Sequence, residues 1–206
     1  MANTRGALYV AYGEAARAET ARALPTLARW HPDLCTYVIG DQPFPGERWM
    51  PFRESERGEP GRWAKVNLFK LSPFNQTLYL DADTRVYGDL SAGFRALSAG
   101  WELVIVASKP QGEQGLAHLG EIERAVTLVE LPAQPLQLNS GVMFWRKCER
   151  MRQFWSVWRD EWERWRGKDQ GALLRALNRV PVRALLLGQA WNGGSVVGHL
   201  FGQARG

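Results

Sequence analysis

Thr77-Leu78-Tyr79-Leu80-Asp81-Ala82-Asp83-Thr84 is a short apolar run that ends abruptly in two carboxylates separated by one small residue. A run of this length, partly β-branched and aromatic, reads as a buried strand. Charges seldom sit inside a buried strand, so Asp81 and Asp83 mark its C-terminal end, where open α/β sheets bind ligands. In an extended backbone, residues two apart point to the same side, so both carboxylates can face one cation. Oxygen ligands of this kind suit Mg²⁺ or Mn²⁺, particularly an ion already carrying phosphate oxygens. The plain alternative is a solvated acidic turn, since so short a motif also arises by chance.

Upstream of this run, Ala7-Leu8-Tyr9-Val10-Ala11 reads as a first strand, and residues 14–24, rich in Ala, Arg and Glu, as a helix. Pro25 kinks that helix or begins its last segment. Leu34-Cys35-Thr36-Tyr37-Val38-Ile39 is a second strand. Strand, helix, strand opens a parallel sheet with helices across its faces. Residues 42–60 carry Pro, Gly and charge without a period and read as a long loop. Residues 62–71 look helical and deliver the chain into the central strand. Downstream, residues 89–97 form a capped helix, 103–107 a buried strand, and 109–120 an exposed Gly- and Gln-rich stretch. A helix over 121–130 ends before Pro132 and Pro135. Leu138-Asn139-Ser140-Gly141 then reads as a small-residue turn ahead of an apolar strand. Residues 149–165 are a long amphipathic helix with Phe154, Trp158, Trp162 and Trp165 on one face. Such a stripe is expected to pack on the sheet rather than to stack on a ligand. Asp169 starts another helix, 182–187 is a strand, and 191–194 a turn. No repeat, low-complexity segment or linker interrupts what reads as one continuous α/β unit.

Composition narrows the function classes. With 206 residues, 45% of them hydrophobic, the chain has enough material for one domain with a real core. No apolar run reaches the ~20 residues of a transmembrane helix, and the opening residues lack the pattern of a secretory signal. Cys35 and Cys148 stand apart without a partner motif and are expected to be buried thiols, with cytoplasm the default location. The net charge of +5 comes almost wholly from arginine. It permits a nucleic acid or another polyanionic partner, but the densest basic stretch, residues 146–168, is interleaved with Asp160, Glu161 and Glu163 and reads as a solvated helix face.

Three chemistries use an aspartate pair at a strand end. One is transfer from a nucleotide sugar, with the pair holding a divalent ion on a diphosphate. A second is haloacid-dehalogenase-like phosphotransfer with Asp81 as nucleophile. The third is glycoside hydrolysis, which fixes only a distance of roughly 5–9.5 Å between carboxyls and so constrains the sequence weakly. Phosphotransfer expects its nucleophile after the first strand and a second acidic pair downstream. Here the motif follows a complete strand–helix–strand unit, and Asp160-Glu161 falls inside the Trp-faced helix. That reading ranks behind the first. A basic nucleic-acid-binding module is the non-enzymatic alternative.

Tyr79-Leu80-Asp81-Ala82-Asp83-Thr84, Leu138-Asn139-Ser140-Gly141-Val142, Asp169-Gln170-Gly171-Ala172-Leu173 and His199-Leu200-Phe201-Gly202 occur in that order. Together they resemble the glycogenin-like family 8 glycosyltransferases, and Lys65 in Trp63-Ala64-Lys65-Val66-Asn67-Leu68 resembles the basic residue that family places ahead of its Asp-x-Asp. The resemblance runs from Ala7 to Arg205. It implies a single α/β domain of GT-A type, an open, mixed Rossmann-like sheet with helices on both faces. The donor nucleotide would lie in about residues 1–110 and the acceptor and sugar side in about 111–206. It also implies a retaining, Mn²⁺- or Mg²⁺-dependent transfer of a hexose, glucose or galactose, from a UDP-sugar to a hydroxyl acceptor. The acceptor would be a glycan, a protein or a polyanion such as DNA bearing hydroxylated bases.

Residue by residue, the resemblance implies that Asp81 and Asp83 bind the metal with His199 as third ligand. A lone histidine is otherwise a satisfied or exposed side chain. Ala11, Tyr12 and Gly13 match the uracil and ribose site, where Tyr12 stacks on the base or merely packs a loop. Lys65 offsets the diphosphate charge, and Ala82, Asn139 and Ser140 contact the donor. Asp169 and Gln170 match the acid–amide step beside the anomeric carbon, although Asp169 serves equally well as a helix cap. Gly202 completes the His-x-x-Gly stretch. In the family a Lys that binds diphosphate follows it, and this chain has Arg205 there, a residue able to bind phosphate bidentately.

Overall fold

A computed structural model describes residues 4–52, 59–108, 116–131 and 136–201. Strands β1 (Arg5–Val10), β2 (Cys35–Gly40), β3 (Arg48–Pro51), β4 (Gln76–Leu80), β6 (Leu103–Ala107), β7 (Leu138–Arg146) and β8 (Ala184–Leu187) form one seven-stranded sheet in the order β3-β2-β1-β4-β7-β6-β8. Only β7 runs against the other strands of this sheet, between β4 and β6. A separate ribbon pairs β5 (Thr84–Val86) with β9 (Val197–His199), setting Thr84 opposite His199.

The alternation of side chains along each strand sorts the helices onto two faces. Ala7 and Tyr9 of β1 and Leu78 and Leu80 of β4 pack under α1 (Gly13–Trp30) and α4 (Ser91–Ser98). Leu8, Val10 and Tyr79 point the other way, onto α2 (Pro60–Val66), α3 (Leu68–Leu71), α6 (Glu149–Trp165) and α7 (Asp169–Arg179). A further helix, α5 (Glu121–Glu130), packs on α7. Phe154, Trp158 and Trp162 of α6 are fully buried, as the spacing of that helix requires, while Trp165 is half-buried at its end. Each such ring removes roughly 150–250 Å² from water, about 4–6 kcal/mol at ~25 cal/mol per Å² before entropy is counted. The indole N–H of Trp158 donates to the Asp169 carbonyl at 3.0 Å, and that of Trp162 to Gly167 at 3.1 Å. The stripe is core, and it ties α6 to the start of α7.

The first helix runs on through Pro25 to Trp30, so Pro25 begins its last segment, on the exposed side where water can take the freed Ala21 carbonyl. Several local expectations change. The loop over 42–60 contains β3, and residues 53–58 of it lie outside the described residues. The helix over 62–71 breaks at Asn67, whose side chain donates to the Trp63 carbonyl at 2.9 Å. Within the stretch expected to be exposed, Leu116 and Leu119 are buried, and residues 109–115 lie outside the described residues. Asn139, Ser140 and Gly141 are not a turn but part of β7. Asn139 pairs with Val106 of β6, but the register shifts between Ile105 and Val106, so Ser140, Gly141 and Val142 bulge out of that ladder. Both cysteines are free and half-buried rather than buried.

The basic stretch is dispersed into separate ion pairs: Arg146 and Arg150 with Glu102, Arg152 with Glu149, Arg159 with Asp160, and Arg164 with Glu130. Five arginines of that stretch thus each face a carboxylate. No helix among the described residues is long and apolar enough to cross a membrane.

Arg175 of α7 is 1% exposed and holds Glu123 of α5 and Glu161 of α6 at 3.2 and 2.7 Å, with a further bond to Thr127. Removing the guanidinium would leave two buried carboxylates short of their partner. Arg175→Leu should therefore lower stability by about 3–5 kcal/mol in urea unfolding. A loss below about 1 kcal/mol would show that water reaches the cluster.

Candidate functional site

The last residue of β4, Leu80, pairs with Val142 of β7, and the Asp81 amide donates to the Gly141 carbonyl at 2.8 Å. The sheet thus ends in a turn whose carbonyls are taken in order. The Thr84 amide and hydroxyl both donate to the Asp81 carbonyl, at 3.1 and 2.7 Å, and the Leu200 amide donates to the Asp83 carbonyl at 3.1 Å. The last of these bonds, with the β5–β9 pairing, brings residue 199 beside residues 81 and 83 from the far end of the chain.

Ligand atoms of Asp81, Asp83 and His199 all lie within 4.8 Å of one another. His199 Nε2 is 3.0 Å from an Asp83 oxygen and 3.9 Å from Asp81 Oδ2, and its Nδ1 meets the side-chain oxygen of Asn192. An amide oxygen only accepts, so Nδ1 carries a hydrogen there, and Nε2 is the nitrogen turned to the carboxylate side. Asn192, buried in the turn before β9, was not singled out by its sequence context. A Trp-Asn-Gly-Gly turn signals only a turn until its spatial neighbour is known.

Lys65, at the end of α2, places its ammonium 3.0 Å from Asp81 Oδ1 and 3.5 Å from Asp169 Oδ2. Burial pulls the Lys65 pKa down, but Asp169 and Asp81 together outweigh it and the net direction is up. Burial likewise raises the Asp169 carboxyl, while Lys65 and a hydrogen bond from the Ser140 hydroxyl overcome this and hold it below the ordinary carboxylate value. Asp169 occupies the first turn of α7 and makes no side-chain cap; Lys168 precedes it as N-cap. The cap expected of Asp169 is absent because Ser140 and Lys65 engage its carboxylate. Tyr79, also not singled out as a site residue, donates its hydroxyl to Asp81 Oδ1 at 2.7 Å. Burial and the Asp81 charge push that phenol well above its ordinary pKa, so it stays a neutral donor.

These groups line one cleft of ≈ 1150 Å³. Tyr12, Lys65, Asp81, Ala82, Asp83, Asn139, Ser140, Asp169, Gln170 and His199 all reach its wall. Ala11 is fully buried behind it, and Gly13, at φ +75, turns the chain into α1. The Tyr12 hydroxyl donates to the Phe52 carbonyl, and burial pushes its pKa up to about 12. Gly202 and Arg205 lie outside the described residues. Glu19, Ser108, His118, Gln137 and Lys168 also line the cleft, and no motif marked them. A smaller hollow of ≈ 270 Å³ beside Glu130, Arg175 and Arg179 lies away from this cluster among structural ion pairs.

No protein-family model matches the chain, and no curated protein sequence does. Solved structures do. The galactosyltransferase LgtC, solved with donor and acceptor sugar analogues, aligns with a TM-score of 0.62 at 13% identity over 89% of this chain and 73% of its own. Mouse xyloside xylosyltransferase 1 aligns with a TM-score of 0.62 at 15% identity over 92% and 87%. The glycosyltransferase GlyE of Streptococcus pneumoniae gives 0.58 at 16% over 92% and 46%.

The fold is that of the GT-A glycosyltransferases. In these GT-A terms, β4 is the strand that carries Asp81-Ala82-Asp83 into the cleft, and the antiparallel β7 supplies the opposite wall. At such identities the likeness speaks for architecture, while the chemistry must come from the residues themselves.

Gly141 is the contact that lets the two walls approach. A Cβ there would lie 2.5 Å from His199 Cε1, 2.7 Å from Asp81 Oδ2 and 2.9 Å from Asn139 Oδ1. Gly141→Ala should cost about 1–3 kcal/mol of stability in urea unfolding and part His199 from Asp81. Unchanged stability would mean that these neighbours yield freely.

Proposed function

We propose that the chain is a retaining glycosyltransferase of the family 8 type, moving a hexose, glucose or galactose, from a UDP-sugar to a hydroxyl acceptor. The observation that carries this reading is the convergence of Asp81, Asp83 and His199 to within 4.8 Å, with Lys65 and Asp169 beside them in one cleft. Two carboxylates and an imidazole whose Nε2 faces them are a donor set that fits Mn²⁺ or Mg²⁺, and the bare Gly141 lets His199 and Asp81 come together. Asp81, Asp83 and His199 would hold the ion, which when bound supplies positive charge against the leaving diphosphate.

The chain's own groups do the rest. Tyr12, with Ala11 and Gly13 behind it, would take the nucleoside end, and Ala82 leaves the turn open between the two carboxylates. Lys65 orients Asp81 and Asp169 and offers its remaining hydrogens to donor oxygens. Asn139 and Ser140 would bind sugar hydroxyls from the bulge of β7. Asp169, kept ionised, places negative charge where the anomeric carbon becomes cation-like, with Gln170 next to it. Fixed charges of this kind in a partly dry cleft often lower a reaction barrier more than any other single effect. The sugar–phosphate bond breaks and the acceptor oxygen bonds to the same face of the anomeric carbon. Configuration is therefore retained, and the acceptor proton passes to the leaving diphosphate. By the same resemblance, Gly202 and Arg205 would be donor-binding, with Arg205 on that diphosphate. The acceptor would enter past Ser108, His118, Gln137 and Lys168, on the side supplied mainly by residues 111–206.

Phosphotransfer is not favoured. Asp81 Oδ1 is occupied by Lys65 and Tyr79, and the downstream pair is split between exposed Asp160 and Glu161, which is committed to Arg175.

With UDP-glucose or UDP-galactose and Mn²⁺, the protein should release UDP. Asp83→Ala should lower that rate at least about 100-fold, the scale of losing one preorganised charge interaction. Undiminished release in EDTA would contradict the metal role. A phosphoaspartate trapped on Asp81 would overturn the whole reading.

A further inference from the structure

We infer that Arg85 is a positioning residue for the Asp81–Asp83 turn, bracing it against α1 through the carboxylate of Glu19. Arg85 is the second residue of β5, and its side chain turns back across the turn it follows. One guanidinium nitrogen donates to its neighbour's carbonyl, Thr84, at 2.7 Å and lies 3.4 and 3.5 Å from the carbonyls of Ala82 and Glu19. The other donates to the Glu19 carboxylate, whose second oxygen takes Arg22. Both partners are largely buried, with side chains 14% and 10% exposed. Thr26, one helical turn beyond Arg22, accepts the Val86 amide at 2.9 Å and fixes the same strand to the same helix.

This brace has the geometry of an outer-shell support rather than a general packing contact. Thr84 answers for the carbonyl of Asp81, Arg85 for those of Ala82 and Thr84, and Leu200 for that of Asp83. Every carbonyl from 81 to 84 is thereby oriented, and among these donors Arg85 reaches outside the ribbon to a helix. Glu19 itself lines the cleft, so the brace also sets the width between α1 and the turn. The hydrogen bond from Arg85 holds the Glu19 carboxyl below its ordinary pKa, so the pair stays charged at neutral pH. Groups one step behind a metal ligand typically change ion affinity about 10–100-fold when removed. Nothing about Arg85 in the sequence signals this, because its partner lies 66 residues earlier.

The inference rests on the metal reading above, and two measurements separate them. The first is amide hydrogen exchange of Thr84 and Leu200 in metal-free protein, which reports order in the turn whatever the ion does. The second is Mn²⁺ binding followed by electron paramagnetic resonance, with thermal unfolding as the control for folding. Arg85→Met and Glu19→Gln should each speed exchange at both amides and weaken Mn²⁺ binding about 10-fold, while Arg85→Lys restores most of both. The double variant should lose little more than either single one. Exchange unchanged in Glu19→Gln overturns the brace, and that isosteric variant decides the matter if Arg85→Met does not fold. Faster exchange with Mn²⁺ affinity within about twofold of wild type overturns its link to the metal ligands. Wild-type protein that bound no Mn²⁺ would sink the metal reading, leaving exchange to decide whether Arg85 orders the turn.

Discussion

Asp81 and Asp83 stand side by side at the end of a buried strand, with Asp169 near them in the same cleft, and carboxylates gathered this closely repel unless other groups partner them. Much of the molecule answers that constraint. Lys65 spans Asp81 and Asp169, Tyr79 donates to Asp81, Ser140 to Asp169, and His199 faces Asp83. Each comes from a different element: α2, β4 itself, β7 and β9. The cleft is therefore a product of the tertiary fold, and an error in any one of these placements leaves a carboxylate unbalanced.

Packing and chemistry share the same parts. The indole of Trp158 secures the Asp169 backbone while filling the core below the sheet. The antiparallel strand β7 is central to the sheet, yet at its irregularity Asn139 and Ser140 line the cleft. A buried strand interrupted by small polar residues is costly as packing alone. It is intelligible where a second backbone, here the turn after β4 and the ring of His199, must come within van der Waals distance.

The parts legible in the sequence were those governed by local pattern. The apolar run ending in Asp81-Ala82-Asp83, the helix at Glu149–Trp165 with its buried aromatic face, and the alternation of strands and helices are written in neighbouring residues. Ordered motifs also brought His199 and Asp169 into view. Pairing across distance was not legible. Strands of three residues such as β5 and β9 carry no periodicity, so the register that sets Thr84 against His199 lies beyond a linear reading. Pro25 left two outcomes open because its cost depends on which side of the helix faces water. Asn139-Ser140-Gly141 has the composition of a turn and becomes strand through distant partners, Val106 of β6 on Asn139 and the Asp81 amide on the Gly141 carbonyl. Asn192 and Arg85 act on partners that sequence does not identify.

The most direct trial of the metal-centred cleft is a crystal structure of the protein with Mn²⁺ and UDP, with data collected at the manganese absorption edge. The predicted result is one anomalous peak bonded to Asp81, Asp83 and the Nε2 of His199, with the diphosphate completing its coordination. A peak elsewhere in the cleft, or one that left His199 hydrogen-bonded to Asp83 and outside the coordination sphere, would contradict it.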